Sequence, residues 1–281
     1  MPDGCTAIAK IIGNRSILAK NRDLIWTDFC DTVVFENDVF IVTGVDTSNA
    51  QICGASFGMN RWGLVACNTT VLVTQDTAYD ILLERVLRES KTIDEAFNLV
   101  RADLNHGSRY QWCNFILASP QGVGAIEIGD GVAVLEQDYI MIARTNHHLL
   151  LPTADILRHA SPAEREAGGP LATSQNRRQE AFKLLQEAKS TSDFMQILST
   201  HHKGRGFDSI CRHRPDNPHT EPYLGETVYS YIAEVSYFEP ERMEFRINVA
   251  PGNPCSSTYK EYLIDFNASP QEKENIVLDF P

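Results

Sequence analysis

Gly4-Cys5-Thr6-Ala7-Ile8-Ala9-Lys10-Ile11-Ile12-Gly13-Asn14-Arg15-Ser16-Ile17-Leu18-Ala19-Lys20-Asn21-Arg22-Asp23 is the stretch that decides how this chain is read. Thr6–Ile12 and Ser16–Asn21 are two short strand-like runs, and the Gly13-Asn14 dipeptide between them suits a hairpin turn. A hairpin carries Asp23 back toward Cys5. One cut between Gly4 and Cys5 would make Cys5 terminal, so that its sulfur and a freed α-amino group belong to the same residue. Such an amine titrates at about 7.7–8.0, near enough to neutral to take the thiol proton. Asp23 would hydrogen-bond and orient that amine, while Lys20 or Arg22 would lower the thiol pKa. Gly4 suits the cut because a residue without Cβ can take up the strained backbone that exposes its carbonyl carbon. The plainer readings make Cys5 a small buried apolar residue and the Lys20, Arg22 and Asp23 charges a solvated cluster at a strand end.

Working outward, Thr32–Glu36 and Val39–Val45 repeat the strand pattern across Asn37-Asp38, and Gly58-Met59-Asn60 reads as a turn into the apolar strand Gly63–Thr70. Tyr79–Arg88 reads as a helix with Tyr79, Ile81, Leu82 and Val86 inward, and Thr92 with Glu95 as a capping box ahead of Ala96, Phe97 and Val100. Four strands are expected at Asn114–Ser119, Gly124–Ile128, Val132–Glu136 and Tyr139–Ala143. Ser174–Ala188 and Ser192–Ser199 read as helices burying Ala181, Leu184, Leu185, Phe194, Ile197 and Leu198. Thr227–Phe238 and Met243–Val249 form a last hairpin around Glu239-Pro240-Glu241-Arg242. Pro152–Pro170 is expected to be a surface excursion within one domain. Strands, then helices, then strands again indicate an α+β layer fold with antiparallel sheets packed between helices.

With 281 residues and a formal charge of -12, the chain can bury a sizeable core but lacks the clustered Lys and Arg of a nucleic-acid surface. No apolar run approaches a membrane span and no secretory leader opens the chain, so a cytoplasmic protein without membrane partners is expected. Cys5, Cys30, Cys53, Cys67, Cys113, Cys211 and Cys255 form an odd set without a CxxC pair. Neither a disulfide framework nor a zinc site is expected from that pattern, and Cys67 and Cys113 read as inert core thiols. Adjacent histidines on a strand point to opposite faces, so His147-His148 and His201-His202 suggest no metal, and no cofactor is implied. His213 is a rival, papain-like partner for a cysteine. Arg212 and Arg214 read either as ligands for a substrate carboxylate or phosphate or, more plainly, as surface-loop residues. Asn68 and Asn146 each follow an apolar strand, where an amide could be aimed at a developing oxyanion, or could merely close a strand–loop junction.

Taken together, Gly4-Cys5-Thr6, Leu18–Asp23, Gly58-Met59-Asn60-x-x-Gly63-Leu64, Thr145-Asn146-His147, Ser174-x-x-Arg177, Ser209–His213 and Ala250–Cys255 resemble, in order, the motifs of the acyl-coenzyme A:isopenicillin N acyltransferase family. That family belongs to the N-terminal nucleophile (Ntn) hydrolases and is related to penicillin V acylases and bile salt hydrolases. The resemblance implies a four-layer αββα sandwich, removal of residues 1–4 by self-cleavage at Gly4-Cys5, and a single domain over 5–281. It implies attack by Cys5 on an amide or thioester carbonyl of a small-molecule substrate. Asp23 matches the carboxylate near the amine, Asn146 the oxyanion asparagine, Asn68 a second oxyanion donor and Arg177 an active-site arginine. Lys20 stands where the hydrolases carry arginine, with Arg22 as its alternative.

The activity expected is therefore cleavage of a linear C–N amide bond through a Cys5 acyl-enzyme. The alternatives are acyl-CoA-dependent N-acyl transfer, a dipeptidase-like hydrolase starting at Cys30-Asp31-Thr32, and a catalytically silent binding protein on the same fold. A homo-oligomer is compatible with the sequence.

Overall fold

The structure, a computed structural model, describes residues 4–25, 30–46, 48–151, 169–214, 225–239 and 242–281. The Met1-Pro2-Asp3 segment, most of the Pro152–Pro170 excursion and the Pro240-Glu241 turn lie outside the described residues.

The opening hairpin forms as the Gly13-Asn14 dipeptide suggested. β1 (Gly4–Ile12) and β2 (Arg15–Leu24) pair antiparallel in unbroken register from Ile12↔Arg15 to Gly4↔Asp23. They sit in the middle of a six-stranded antiparallel sheet of order β10-β1-β2-β11-β12-β13, with β10 (Met141–Arg144), β11 (Glu226–Glu239), β12 (Arg242–Pro251) and β13 (Lys260–Ile264). The second sheet has seven antiparallel strands in sequence order: β3 (Val33–Phe35), β4 (Val39–Asp46), β5 (Gln51–Asn60), β6 (Val65–Leu72), β7 (Trp112–Ser119), β8 (Gly122–Gly129) and β9 (Val132–Asp138).

Because strand side chains alternate, each sheet has two faces to bury. Ala7, Leu18, Tyr231 and Ile247 of the first sheet meet Phe40, Phe57, Ile116 and Val123 of the second in the core between them. On the outer face of the seven-stranded sheet, α1 (Tyr79–Glu89) and α2 (Ile93–Asn105) pack Leu82, Val86, Val100 and Leu104 onto Phe115, Leu117 and Ile126. On the outer face of the six-stranded sheet, α3 (Pro170–Glu187) and α4 (Thr191–Leu198) pack Ala181, Leu185, Phe194 and Leu198 onto Ile8, Ile17 and Ile232. The layers are therefore αββα. Among the described residues no helix is long and apolar enough to cross a membrane.

Several sequence expectations need correction. Gly58-Met59-Asn60 is the end of strand β5, not a turn. This strand is hard to read because its glycines make room for α1. A Cβ on Gly54 would lie 2.2 Å from the Asp80 backbone, and one on Gly58 would lie 2.6 Å from Phe40 O and 2.8 Å from Leu87 Cδ1. Helix closure against β5 thus overrides the low strand preference of glycine. In α1 itself Ile81 is 41% exposed, and Leu83 and Leu87 take inward positions beside Leu82 and Val86. Thr92 caps α2 by accepting from Glu95 N, but the Glu95 carboxylate accepts from Lys91 N and not from Thr92. β12 does not end the fold. β13 buries Tyr262 and Ile264 in alternation, and α5 (Pro270–Asp279) starts with a Ser269–Glu272 capping box and Pro270, a signature the sequence carries openly.

The turn between β5 and β6 is held by the fully buried Asn60. Its Oδ1 accepts from Trp62 N (3.2 Å) and Leu64 N (3.1 Å), and its Nδ2 donates to Leu87 O (2.9 Å) and Ser90 O (2.7 Å) at the end of α1. Asn60→Ala orphans several of these groups at once. It is expected to destabilise the protein by on the order of 2–4 kcal/mol, seen as a lower urea midpoint with an unchanged slope.

Candidate active site

Register fixes where each candidate residue points. Residues opposite one another on β1 and β2 share a face, so Cys5 goes with Arg22 and, two residues on, Ala7 with Lys20; Gly4 goes with Asp23 and Thr6 with Asn21. Ala7 and Leu18 lie in the core between the sheets, whereas Ile8 and Ile17 lie under the helices. Cys5, Lys20 and Arg22 therefore face the second sheet, and Asn21 and Asp23 face the helical side.

On the inter-sheet face, the buried Lys20 Nζ donates to Ser56 Oγ (2.8 Å), Ser56 O (3.2 Å) and Asn68 Oδ1 (3.0 Å). The Asn68 amide spends both hydrogens elsewhere, Nδ2 donating to Ala55 O (3.1 Å) and to Asp80 Oδ1 (3.0 Å). Flipping this amide would set its NH2 against an ammonium and its oxygen against a carboxylate, so the partners fix its orientation. Arg22 pairs with the buried Asp31, which also accepts from Tyr231 Oη, and donates to Thr43 O at 3.1 Å. Burial raises the Cys5 thiol pKa, and this outweighs Lys20, the strongest influence in the other direction, and the weaker help of Arg22. Both cations act in the expected, lowering direction, but in the intact chain burial prevails.

On the helical face, Asp23 Oδ1 accepts from Thr227 Oγ1 at 2.7 Å, and Oδ2 faces Arg212 Nη1 at 3.6 Å without a hydrogen-bond partner. Burial raises the Asp23 pKa against the opposing pull of Arg212 and Arg177. Arg212 is buried, which corrects its reading as a surface-loop residue; Arg214 is half-buried and pairs with Glu226. Gly4 is pressed onto this pair. A Cβ there would lie 2.0 Å from Arg212 Nη1 and 3.0 Å from Asp23 Oδ2. Among the glycines with positive φ Gly4 does not figure, so close approach, not strained backbone, is what excludes a side chain.

Asn146 and Arg177 complete the cluster. Cys5 N donates to Asn146 Oδ1 (3.0 Å), and Asn146 Nδ2 donates to Thr70 O (2.8 Å), leaving its second hydrogen available. Arg177 spans Cys5 and this amide, Nη1 donating to Cys5 O (2.7 Å) and Thr6 Oγ1 (3.0 Å), Nη2 to Asn146 Oδ1 (2.8 Å). Burial and Arg212 together lower the Arg177 pKa to about 9. One helical turn earlier on α3, Ser174 Oγ accepts from Asn146 N (2.8 Å), so one helix face sets both residues. Glu127 tethers the following chain, accepting from Leu149, Leu150 and Leu151 N at 2.8–3.0 Å.

The decoys separate from the site. Cys67 and Cys113 are buried in the core, and Cys30 is exposed. A cut before Cys30 would remove β1 and β2, the central strands of one sheet. His147 Nδ1 meets Ser174 Oγ at 2.8 Å, and His148 Nε2 meets Cys113 O at 3.0 Å. His213, read from the sequence as a partner for a cysteine, contacts Cys211 and Cys255 together with His201.

Sequence reasoning missed Asp31, Ser56, Asp80 and Thr227 as members of the cluster. Asp80 lies in the first turn of α1, where an acid ordinarily serves the helix dipole, so nothing in the sequence distinguishes it. Burial pushes its carboxyl up to about 7, against Arg22, Lys20 and the Asn68 hydrogen bond.

The family model described as acyl-coenzyme A:6-aminopenicillanic acid acyl-transferase matches residues 12–238. No curated protein matches the sequence. Among solved structures, penicillin V acylase from Agrobacterium tumefaciens superposes with a TM-score of 0.50 at 14% identity, over 90% of this chain and 93% of its own, which shows the shared fold. A mutant conjugated bile acid hydrolase from Clostridium perfringens (TM-score 0.48, 12% identity, 94% and 98% covered) superposes less closely. So does the N-acylethanolamine-hydrolyzing acid amidase ortholog of Caenorhabditis elegans (0.47, 14%, 93% and 100%).

The Asp80 carboxyl gives a pH prediction. Between pH 4 and 7 the unfolded chain has lost this proton and the folded protein keeps it, so stability falls as pH rises through that window. The gap between the ordinary carboxyl value and about 7 caps the effect at roughly 4 kcal/mol. Asp80→Asn is expected to flatten this slope, so its stability relative to the parent rises from pH 5 to pH 8 in denaturant titrations. A constant difference across that range contradicts the assignment.

Proposed function

Because the chain belongs to the acyl-coenzyme A:6-aminopenicillanic acid acyl-transferase family and has the two-sheet sandwich of the Ntn hydrolases, we propose that it is a cysteine amidohydrolase or acyltransferase that activates itself by cutting Gly4–Cys5. The observation that carries this reading is the convergence of Asp23, Asn146 and Arg177 on Cys5, with Gly4 seated against Asp23 and Arg212.

In the self-cleavage step, Cys5 Sγ adds to the Gly4 carbonyl carbon and its proton passes to the departing Cys5 nitrogen. The C–N bond breaks, and Gly4 is left as a thioester on the sulfur. Water hydrolyses the thioester, releasing residues 1–4 with a C-terminal carboxylate and leaving a free thiol and a free α-amine on Cys5. Removal of Gly4 opens the space beside Asp23, whose Oδ2 is buried without a hydrogen-bond partner. Asp23 then orients the amine, as does Asn146 Oδ1, which already accepts from Cys5 N. The mature domain is 5–281.

Catalysis repeats the chemistry on an external carbonyl. The α-amine takes the thiol proton, the thiolate adds to a small-molecule amide, and the remaining Asn146 N–H stabilises the oxyanion, a donor typically worth roughly 2.7–4 kcal/mol. The amine product leaves with a proton, and water resolves the acyl-enzyme. Arg177 holds Cys5 and Asn146 in register. Lys20 supplies the positive charge that favours the thiolate. Asn68 anchors Lys20, and it donates to an oxyanion only by giving up Ala55 or Asp80. Hydrolysis of a linear amide is preferred over transfer to an amine or from acyl-CoA because water needs no second acceptor pocket. Seven unpaired cysteines suit a reducing compartment, consistent with a cytoplasmic location.

Intact-mass analysis and N-terminal sequencing of the purified protein are expected to begin at Cys5-Thr6-Ala7. Cys5→Ala is expected to keep residue 5 joined to Gly4 and lose all turnover of penicillin V, conjugated bile acids, N-acylethanolamines and N-acyl amino acids. Gly4→Val is expected to block or strongly slow the cut through its clash with Arg212. An active chain in which Gly4 is still joined to Cys5 would sink the mechanism. A processed chain that forms no acyl-enzyme with an activated ester would favour a silent binding protein.

A further inference from the structure

Two histidines and two cysteines far apart in sequence come together around the segment that carries Arg212. His213 Nε2 lies 3.0 Å from His201 Nε2, 3.3 Å from Cys255 Sγ and 3.6 Å from Cys211 Sγ. All four donor atoms fall within 4.8 Å of one another. Hydrogen bonding does not account for this set. A ring nitrogen carries either one hydrogen or one in-plane lone pair, so His213 Nε2 can satisfy only one of its three neighbours. A single cation among the four satisfies them all.

We propose that His201, Cys211, His213 and Cys255 form a closed Cys2His2 zinc site. In a tetrahedron with Zn–N of about 2.05 Å and Zn–S of about 2.3 Å, nitrogens stand about 3.3 Å apart and nitrogen stands about 3.6 Å from sulfur. The three distances from His213 (3.0, 3.3 and 3.6 Å) lie close to those edges, and the other pairs stay within 4.8 Å. Two thiolates and two imidazoles are a soft donor set that suits zinc and not magnesium or calcium. Four protein ligands leave no position for water, so the ion is structural. Binding releases the two thiol protons and takes the imidazoles in their neutral form.

The ligands come from three chain segments: His201 after α4, Cys211 and His213 before β11, and Cys255 after β12. Hydrogen bonds already draw these segments together. Cys211 N donates to Thr200 O (3.1 Å), and Asn253 Nδ2 donates to Arg212 O (2.6 Å). Zinc would staple them, holding on both sides the residue that faces Asp23. The sequence pattern excluded a metal because it held no CxxC pair and no local ligand spacing; a site drawn from three segments shows neither.

The test is metal content, independent of turnover. Protein purified from zinc-supplemented cells and dialysed against a weak chelator is expected to hold about one zinc per chain by plasma mass spectrometry, as for a closed four-ligand site. Cys255→Ser and His201→Ala are expected to lose at least nine-tenths of it, while Cys30→Ser keeps it (a ligand loss costs most of the affinity). Cobalt loaded into chelated wild-type protein is expected to show the visible absorption of a tetrahedral thiolate complex, a readout that does not depend on any variant folding. Zinc is also expected to slow alkylation of Cys255, which is half-buried. Wild-type protein that takes up no zinc or cobalt, metal content indifferent to the ligand substitutions, or a Cys211–Cys255 disulfide in freshly purified protein would each overturn the site.

Discussion

The antiparallel pairing of β1 with β2, in the register that sets Gly4 against Asp23 and Cys5 against Arg22, is the constraint on which the rest of the site depends. A slip of one residue would turn every side chain of the hairpin to the other face. Cys5 and Lys20 would then lie under the helices, and Asp23 would point into the core between the sheets. The register is secured from both sides. Ala7, Ala9 and Leu18 fill the inter-sheet core, and Ile8, Ile17 and Ala19 fill the core under α3 and α4. The hairpin is central in its sheet, with β10 and β11 on its flanks. The surroundings of Cys5 thus come from opposite faces, Lys20 and Arg22 on the inter-sheet side and Asp23 with Arg212 on the helical side.

Buried charge is the second theme. Asp23, Asp31, Asp80, Lys20, Arg22, Arg177 and Arg212 are all buried around Cys5. Burial of an isolated charge is costly, and breaking a buried pair typically costs about 3–5 kcal/mol. Here each cation has carboxylate, amide or carbonyl partners. The balance is nonetheless incomplete. Burial prevails at Cys5, Asp23 and Asp80, whose pKa values rise, and at Arg177, whose pKa falls. Such poised groups are the usual mark of a working site. Gly4 sits directly on the Asp23–Arg212 pair, so removing residues 1–4 would change the environment of that carboxylate more than that of any other group.

Much of this was legible in the sequence. Lys20-Asn21-Arg22-Asp23 alternates on a strand, so its residues had to serve two faces, and the Gly13-Asn14 turn brought them to Cys5. The four strands from Trp112 to Arg144 and helices α1 to α4 followed from their periodicity. What escaped was β5, because its glycines answer to the approach of α1 and not to strand preference. β13 and α5 escaped as well, although the Ser269-Pro270-x-Glu272 start of α5 was readable. Arg212 looked like a loop residue because a basic side chain on a polar segment ordinarily is one; its burial is supported by Asp23, nearly two hundred positions away, together with Phe207, whose carbonyl accepts from Nε.

By itself, then, the sequence determined the hairpin that presents Cys5 and the αββα class, because those rest on local periodicity, turn chemistry and motif order. Only the tertiary structure decided the partners of each charge. It committed the Asn68 amide to Lys20 and Asp80, set Arg212 on Asp23, and drew His201, Cys211, His213 and Cys255 into one cluster. The physical reason is that hydrogen bonds act over about 3 Å in space, and residues 12 to 189 positions apart in the chain meet that limit only when the layers close.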